Sequence, residues 1–383
     1  AFTHARYLPT ATNGVNVVAP SRDTVYSSAW LDLRDGPVLI EQPDMGERFW
    51  LMPVLDQWTN VIADPGTRTV GNSAHTFLIA GPEWTGGAPD GVIEYRSPTN
   101  TAWTILRMQT DGDLDAIADL QDGFRIAPLD DPSEYTEPTV LTAPRNPVDV
   151  RSAVDALGAE AFFTELARAL EGTSFNPSDP DAQAALERVG VTPGAFDASS
   201  LSDAQRAGLA DVPGRVLDGM DDAVASGEGG RISNGWRIPP MTLGDYGTQY
   251  PVRAVVAREG LGANLPEDAV YASTTVDAED QPLEGGRTYT IDMPADVPVM
   301  AFWSVTLYDE RGNLLRGGDE GLTVSGTRES GAQRIVISPD RPGDGPWLRA
   351  PDSGPYRLLM RLYWPDAEVL DGQWEFPPVI PAP

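Results

Sequence analysis

Five residues in the first third of the chain have the types and spacing that hydrolytic chemistry needs: Asp23, Tyr26, Asp56, Trp58 and Arg68. Two carboxylates held face to face can divide the work of hydrolysis. One acts as a general acid with its pKa raised, and the other stays ionised as base or nucleophile, as in glycosidases. An indole such as Trp58 can stack on a sugar ring, and Arg68 can depress a carboxyl pKa or clamp an anionic substrate. The competing reading is structural: Asp23 caps a turn, Asp56 pairs with Arg68, and the rings fill a core. Tyr308, Arg361 and Tyr363 form a second group, on strand-like runs in the last third, and count as candidates for lining a binding cleft. In the same stretch Trp303, Val305 and Leu307 alternate with Ser304, Thr306 and Tyr308, which predicts one core face and one polar face.

Other outfits are thinly supplied. His75, with Ser27 or Ser73 and Asp56, could complete a Ser–His–Asp set, but no Gly-x-Ser-x-Gly elbow occurs and His75 reads better as a strand-edge residue. His4 is weaker still. The run Asp111-Gly112-Asp113-Leu114-Asp115 imitates the start of a calcium loop. Ala116 replaces the turn glycine, however, so these acids read as charge favourable to a helix N-terminus.

The inventory narrows the chemistry further. There is no Cys and no Lys, all 27 basic residues are Arg, and there are two His. Thiolate nucleophiles, Schiff-base lysines, P-loop lysines, cysteine zinc sites, iron–sulfur clusters and three-His metal sites all lack their side chains. No cofactor is implied. A net charge of −30 repels phosphate backbones and anionic lipid, so neither nucleic acid nor a membrane surface is an expected partner.

Those candidates have to be held in place by strands. From Val15 to Arg107 short apolar runs recur between Gly and Pro punctuation, a rhythm of antiparallel β structure in a sandwich or jelly roll. Leu114–Phe124 reads as a short helix. Ala-rich helical spacing follows, with Phe162, Phe163, Leu166 and Leu170 in register, and then Asp181–Val189 and a stretch from Ser202, a cap, to about Ala225. The β rhythm returns at Val252–Ala257, Ala269–Val276, Thr288–Met293, Met300–Tyr308, Arg334–Ser338 and Arg357–Tyr363, before a tail from Pro377 too rich in proline to continue a strand. The expected architecture is mainly β: two antiparallel jelly-roll-like β-sandwiches at 1–145 and 231–383, joined by an α-helical connector at 146–230.

Two sets of motifs are too particular for composition to explain. The first is Arg22-Asp23-Thr24-Val25-Tyr26-Ser27-Ser28-Ala29-Trp30, followed by Leu51-Met52-Pro53-Val54-Leu55-Asp56-Gln57-Trp58-Thr59-Asn60 and Pro65-Gly66-Thr67-Arg68. The second is Ala301-Phe302-Trp303-Ser304-Val305-Thr306-Leu307-Tyr308-Asp309, followed by Arg361-Leu362-Tyr363-Trp364-Pro365 and Leu370-Asp371-Gly372-Gln373-Trp374. With Trp236, Tyr246-Gly247 and Arg253-Ala254 between them, they resemble the bacterial two-domain family of domain of unknown function 1254 joined to domain of unknown function 1214. The resemblance runs from about Val15 to Pro378 and implies two jelly-roll-like sandwiches with a helical connector. It implies no reaction.

The functional expectation is a cofactor-independent hydrolase that uses Asp23 and Asp56 on a glycan or ester substrate. The alternative is a non-catalytic carbohydrate-binding or assembly module. The chain opens at Ala1 without an initiator Met, read as a removed leader or a trimmed start, so a periplasmic or secreted location is expected, with the cytoplasm also compatible with zero Cys. Exposed sheet edges suggest a homo-oligomer.

Overall fold

The computed structural model describes residues 1–10, 19–144, 150–171, 175–176, 178–227, 229–315 and 318–382; Val15, the start of the resemblance, lies outside them. The first half contains β1 (Thr3–Ala5), β2 (Thr24–Asp32), β3 (Val38–Gln42), β4 (Trp50–Leu51), β5 (Val54–Asp56), β6 (Val61–Ala63), β7 (His75–Ala80), β8 (Ile93–Arg96), β9 (Thr101–Gln109), α1 (Leu114–Gly123), β10 (Arg125–Pro128) and β11 (Thr139–Leu141). They build two sheets, ordered β11-β1-β2-β9-β5-β6 and β10-β3-β7-β8, with β4 also on β9. Along β2 the side chains of Val25, Ala29 and Leu31 enter the core between the sheets, where they meet Ile40, Phe77 and Ile79. Tyr26, Ser28 and Trp30 therefore project from the outer face.

The middle of the chain carries α2 (Val150–Asp155), α3 (Ala159–Ala169), α4 (Ala182–Glu187), a small hairpin of β12 (Val191–Thr192) and β13 (Ala195–Phe196), α5 (Asp203–Ala210) and α6 (Val212–Ser226). Ser202 caps α5 through a reciprocal capping box with Gln205. The stretch read as one helix to Ala225 is two, broken at Asp211 ahead of Pro213.

The last part comprises β14 (Arg231–Ser233), β15 (Trp236–Ile238), α7 (Tyr250–Gly260), β16 (Ala269–Thr274), β17 (Tyr289–Met293), β18 (Trp303–Asp309), β19 (Thr323–Gly326), β20 (Gln333–Ser338), β21 (Trp347–Arg349), β22 (Tyr356–Tyr363), α8 (Ala367–Leu370) and β23 (Val379–Pro381). Its sheets run β14-β15-β16-β22-β18-β19 and β21-β20-β17-β23. The expected strand Val252–Ala257 is instead the middle of α7. A short β-branched run is ambiguous by itself; Pro251 in the first turn and the pairing of Arg258 with Asp155 and Asp221 on the neighbouring helices decide for a helix. The proline-rich tail does form a strand, β23. It lies at a sheet edge, where Pro381 needs no outward N–H bond.

The protein is thus mainly β, with antiparallel pairing predominant and parallel pairs at β1–β11, β7–β8 and β20–β21. The two sandwiches also repeat one another in detail. In the large sheets β1-β2-β9-β5-β6 corresponds to β15-β16-β22-β18-β19, the edge strands β11 and β14 differing in chain order and direction, and both small sheets end in a parallel pair, β7–β8 and β20–β21. Asp23-Thr24-Val25-Tyr26 opens β2 and Asp268-Ala269-Val270-Tyr271 opens β16. Phe49-Trp50 and Phe302-Trp303 lead into runs that end at Asp56 and Asp309. The register agrees at residue level: Tyr26 lies opposite Arg107 and Tyr271 opposite Arg361, while Leu51 pairs with Arg107 and Ser304 with Arg361. Even single backbone bonds recur. Thr110 N–H donates to Asp23 O at 2.9 Å and Trp364 N–H to Asp268 O at 2.7 Å. The N–H groups of Asp56 and Asp309 each donate, at 2.9 Å, to the carbonyl of the Asn four residues later.

The two large sheets pack outer face to outer face. Phe49, Leu51, Ala269, Phe302 and Tyr363 form a small apolar cluster in this seam, with the rings of Phe302 and Tyr363 stacked at 4.1 Å. This packing explains why β18 is buried on both faces. Trp303, Val305 and Leu307 enter the core, while on the other face Ser304 meets Asp23, Tyr308 meets Pro20 ahead of β2, and Thr306 is closed in by Thr323 and Arg361.

Candidate functional site

Asp23 stands at the start of β2 and reaches across the seam. Its carboxylate accepts from Ser304 Oγ at 2.6 Å and from Thr323 Oγ1 at 3.5 Å, and lies 4.0 Å from Arg361 Nη1. Arg361 in turn donates to Thr306 Oγ1 at 3.1 Å, to Tyr308 Oη at 2.7 Å and to Ala19 O at 2.8 Å. Tyr308 donates to Pro20 O, and Tyr363 Oη lies 3.5 Å from Ser21 Oγ. Asp23, Tyr308, Arg361 and Tyr363 therefore share one buried cluster. Burial holds the phenols of Tyr308 and Tyr363 above the ordinary tyrosine range, so both are neutral.

Arg107, on β9 beside Tyr26, is the counterpart of Arg361 in the repeat, and its surroundings differ. Its Cζ lies 5.5 Å from the centre of the Tyr26 ring, and Nη2 donates to the carbonyl of Gly262 at 2.7 Å. Nε and Nη1 are buried without a hydrogen-bond partner. Burial works against its charge, and Tyr271, Tyr26 and Tyr363, with Tyr26 also in close side-chain contact, outweigh it, so its pKa is raised; none of these groups is a carboxylate. Tyr271 donates to Asn264 Oδ1 at 3.0 Å, and burial pushes its phenol up to about 12. By the repeat, Asp268 corresponds to Asp23 and would serve Arg107 as Asp23 serves Arg361. Asp268 instead accepts from Arg68 Nε at 2.8 Å, with Asp64 as a second partner of Arg68.

Asp56 lies elsewhere. It sits at the end of β5 opposite Ala102, whereas Thr24, next to Asp23, is opposite Gln109. Seven residues of β9 separate the two levels, about 23 Å along the strand, and β2 and β5 flank β9 on opposite sides. The expected Asp23–Asp56 carboxylate pair is therefore not formed, since either glycosidase geometry needs less than about 10 Å. Asp56 accepts from Trp58 N, Asn60 N and Asn60 Nδ2 at 2.8–2.9 Å, closing its own loop. Burial nonetheless raises its pKa. Trp58 packs toward the helices and, with Tyr246 and Tyr250, surrounds the Arg253 guanidinium at 5.5–5.8 Å. Arg68 contacts neither Asp23 nor Asp56 by ion pair; its partners are Asp64 and Asp268.

The histidines are structural in their contacts. His75 Nε2 lies 3.0 Å from Val70 O. His4, fully buried, has Nδ1 2.8 Å from Ser27 Oγ, which also accepts from Gln121. Ser27 thus meets His4 and not His75, in a sealed core position. Asp113 precedes α1 and pairs with Arg48. Among the described residues no group of three or more His or acidic side chains converges to hold a metal ion.

Arg107, Tyr271 and Asp268 escaped the sequence reading. Their signal was present as the second Asp-x-Val-Tyr and the second strand Arg, which become visible only when the two halves are aligned with one another. Chemically, the described residues at the centre of the seam offer the guanidiniums of Arg107 and Arg361, the carboxylate of Asp23 and four phenols. Among these described residues no accessible nucleophile stands beside a base.

Comparison with known proteins fits this architecture. No curated protein matches the chain. The VPA0106 protein from Vibrio parahaemolyticus has a similar structure, with 22% identity, a TM-score of 0.69, and 95% of this chain and 90% of that one covered. An uncharacterized protein from Burkholderia cenocepacia follows at 12% identity and a TM-score of 0.49, covering 96% and 78%. Residues 1–128 match the protein of unknown function (DUF1254), residues 268–367 match the protein of unknown function (DUF1214), and the chain belongs to the family that joins these two domains in this order.

Proposed function

We propose that this protein binds a small anionic molecule at the seam between its sandwiches, with Arg107 as the anchoring group. The observation that carries the reading is Arg107 itself: 6% exposed, two nitrogens without a partner, and no carboxylate paired with it. An unpaired buried charge is expensive to keep. Arg361, its counterpart, is compensated by Asp23, so the fold is able to neutralise such a position and leaves Arg107 open. Two carboxylates on opposite sides of β9, at levels about 23 Å apart along the strand, give hydrolysis by a carboxylate pair no support.

Thermal unfolding in the presence of formate, benzoate or inorganic phosphate, against neutral mono- and disaccharides, tests the reading. Anions are expected to raise the midpoint in the wild type and not in Arg107→Met. A rise with the neutral sugars alone, or an equal anion response in the variant, would overturn it.

A further inference from the structure

We infer that the anion is a monocarboxylate carried on an apolar or aromatic body; this inference rests on the anion-binding reading above. The first ground is charge. Among the described residues of the seam cluster, Arg107 and Arg361 face the carboxylate Asp23, Arg357 on the same face of β22 is answered by Glu259 and Asp309, and Tyr271, Tyr308 and Tyr363 stay protonated. One positive charge is left over. A carboxylate balances it, whereas a phosphate monoester brings roughly 1.5–2 negative charges near pH 7 and would leave a surplus near Asp23.

The second ground is geometry. Arg107 Nη2 is occupied by one carbonyl, Gly262 O, and the neighbouring Nη1 has no partner. A ligand that displaces this carbonyl meets both terminal nitrogens of a planar fork, the arrangement that suits the two oxygens of a carboxylate. Gly262 belongs to the short segment after α7, buried itself but preceded by Leu261, which is 54% exposed.

The third ground is the walls. The phenol ring of Tyr26 lies against the Arg107 guanidinium, and the Tyr271 ring, set against Arg361 at 5.8 Å, is close enough to act on the Arg107 charge. Ile105 and Trp103 follow on the same outward face of β9, and Trp103 stacks on Trp30 at 5.3 Å. Gly262 presently rests on this surface: a Cβ built on it would lie 2.3 Å from Ile105 Cδ1 and 3.0 Å from the Trp103 ring. Displacing the Gly262 carbonyl thus uncovers apolar area next to the charge, which suits a ligand with a ring or short chain behind its carboxylate.

Isothermal titration calorimetry on the full chain with benzoate, phenyl phosphate, benzamide and acetate decides the matter. Benzoate is expected to bind at least tenfold more tightly than the other three. Arg107→Lys, which keeps the charge but loses the fork, is expected to weaken benzoate tenfold or more, and Arg107→Met to abolish binding. Phenyl phosphate binding as well as benzoate would overturn the carboxylate inference and leave the anion site standing, and acetate equal to benzoate would overturn the apolar body alone. Equal benzoate affinity in wild type and Arg107→Lys would overturn the fork. No heat with any of the anions would overturn the inference and the anion-binding reading together. If Arg107→Met does not fold, the Lys variant carries the comparison.

Discussion

Single residues in this protein are tuned by what their neighbours leave undone. Arg107 keeps a full charge in a buried place with one hydrogen bond, the Tyr26 ring and other phenols beside it but no carboxylate paired with it, so removing that charge is expected to help the unliganded fold. Arg107→Met should stabilise by about 1–3 kcal/mol in urea unfolding; a loss of stability would show that the guanidinium is already satisfied. Two buried titratable groups set opposing pH responses. Burial, then the charge of Arg6, pulls His4 down to about 4 from 6.5. Between these values the unfolded chain holds a proton that the folded chain refuses, so stability falls as pH drops through that window. Burial raises Asp268 to about 6 from 3.8, overriding its pairing with Arg68 while Asp64 and Glu267 push the same way. There the folded chain holds the extra proton, and stability rises as pH drops. The difference in urea midpoint between pH 7.5 and pH 4.5 should therefore narrow in His4→Asn and widen in Asp268→Asn. The reverse order would contradict both assignments. Of these residues the sequence made Asp23, Tyr26, Arg361 and Tyr363 legible as strand-borne polar groups. It could not show which carboxylate serves which arginine, because Arg68 meets Asp268 across 200 positions of chain and Arg361 meets Asp23 across the seam between the sandwiches.

At the scale of elements, the segment from Leu261 to Asn264 has two tasks: it ends α7 and covers Arg107. Gly262 has φ +85°, a conformation costly for other residues, and no room for a Cβ against Ile105 and Trp103. Gly262→Ala should destabilise by roughly 1–2 kcal/mol, read as a lower melting temperature. An unchanged midpoint would mean that the segment is free to shift. Elements with strict alternation, such as β2 and β18, were readable from sequence because period two survives any packing. The run Val252–Ala257 was not, since its few β-branched residues fit either geometry until Arg258 met Asp155 and Asp221.

For the whole molecule, the decisive feature is the back-to-back seam. Asp23→Ala removes the counter-charge of Arg361 and should cost about 3–5 kcal/mol, lowering the urea midpoint of the transition in which the sandwiches part. A loss below about 1 kcal/mol would demote the contact to a surface pairing. The sequence by itself determined the class of the fold, the family and the exclusions that follow from having no Cys, no Lys and two His, because composition and period-two patterning are local properties. Only the tertiary structure decided that Asp23 and Asp56 stand on opposite sides of β9 at levels about 23 Å apart along it, that Asp268 turned to Arg68, and that Arg107 was left without a carboxylate partner. Those outcomes depend on which two faces meet and in what register. Both sandwiches carry the same Asp, Tyr and Arg at the same strand positions, so no local signal could say which Arg would find its acid across the seam and which would not.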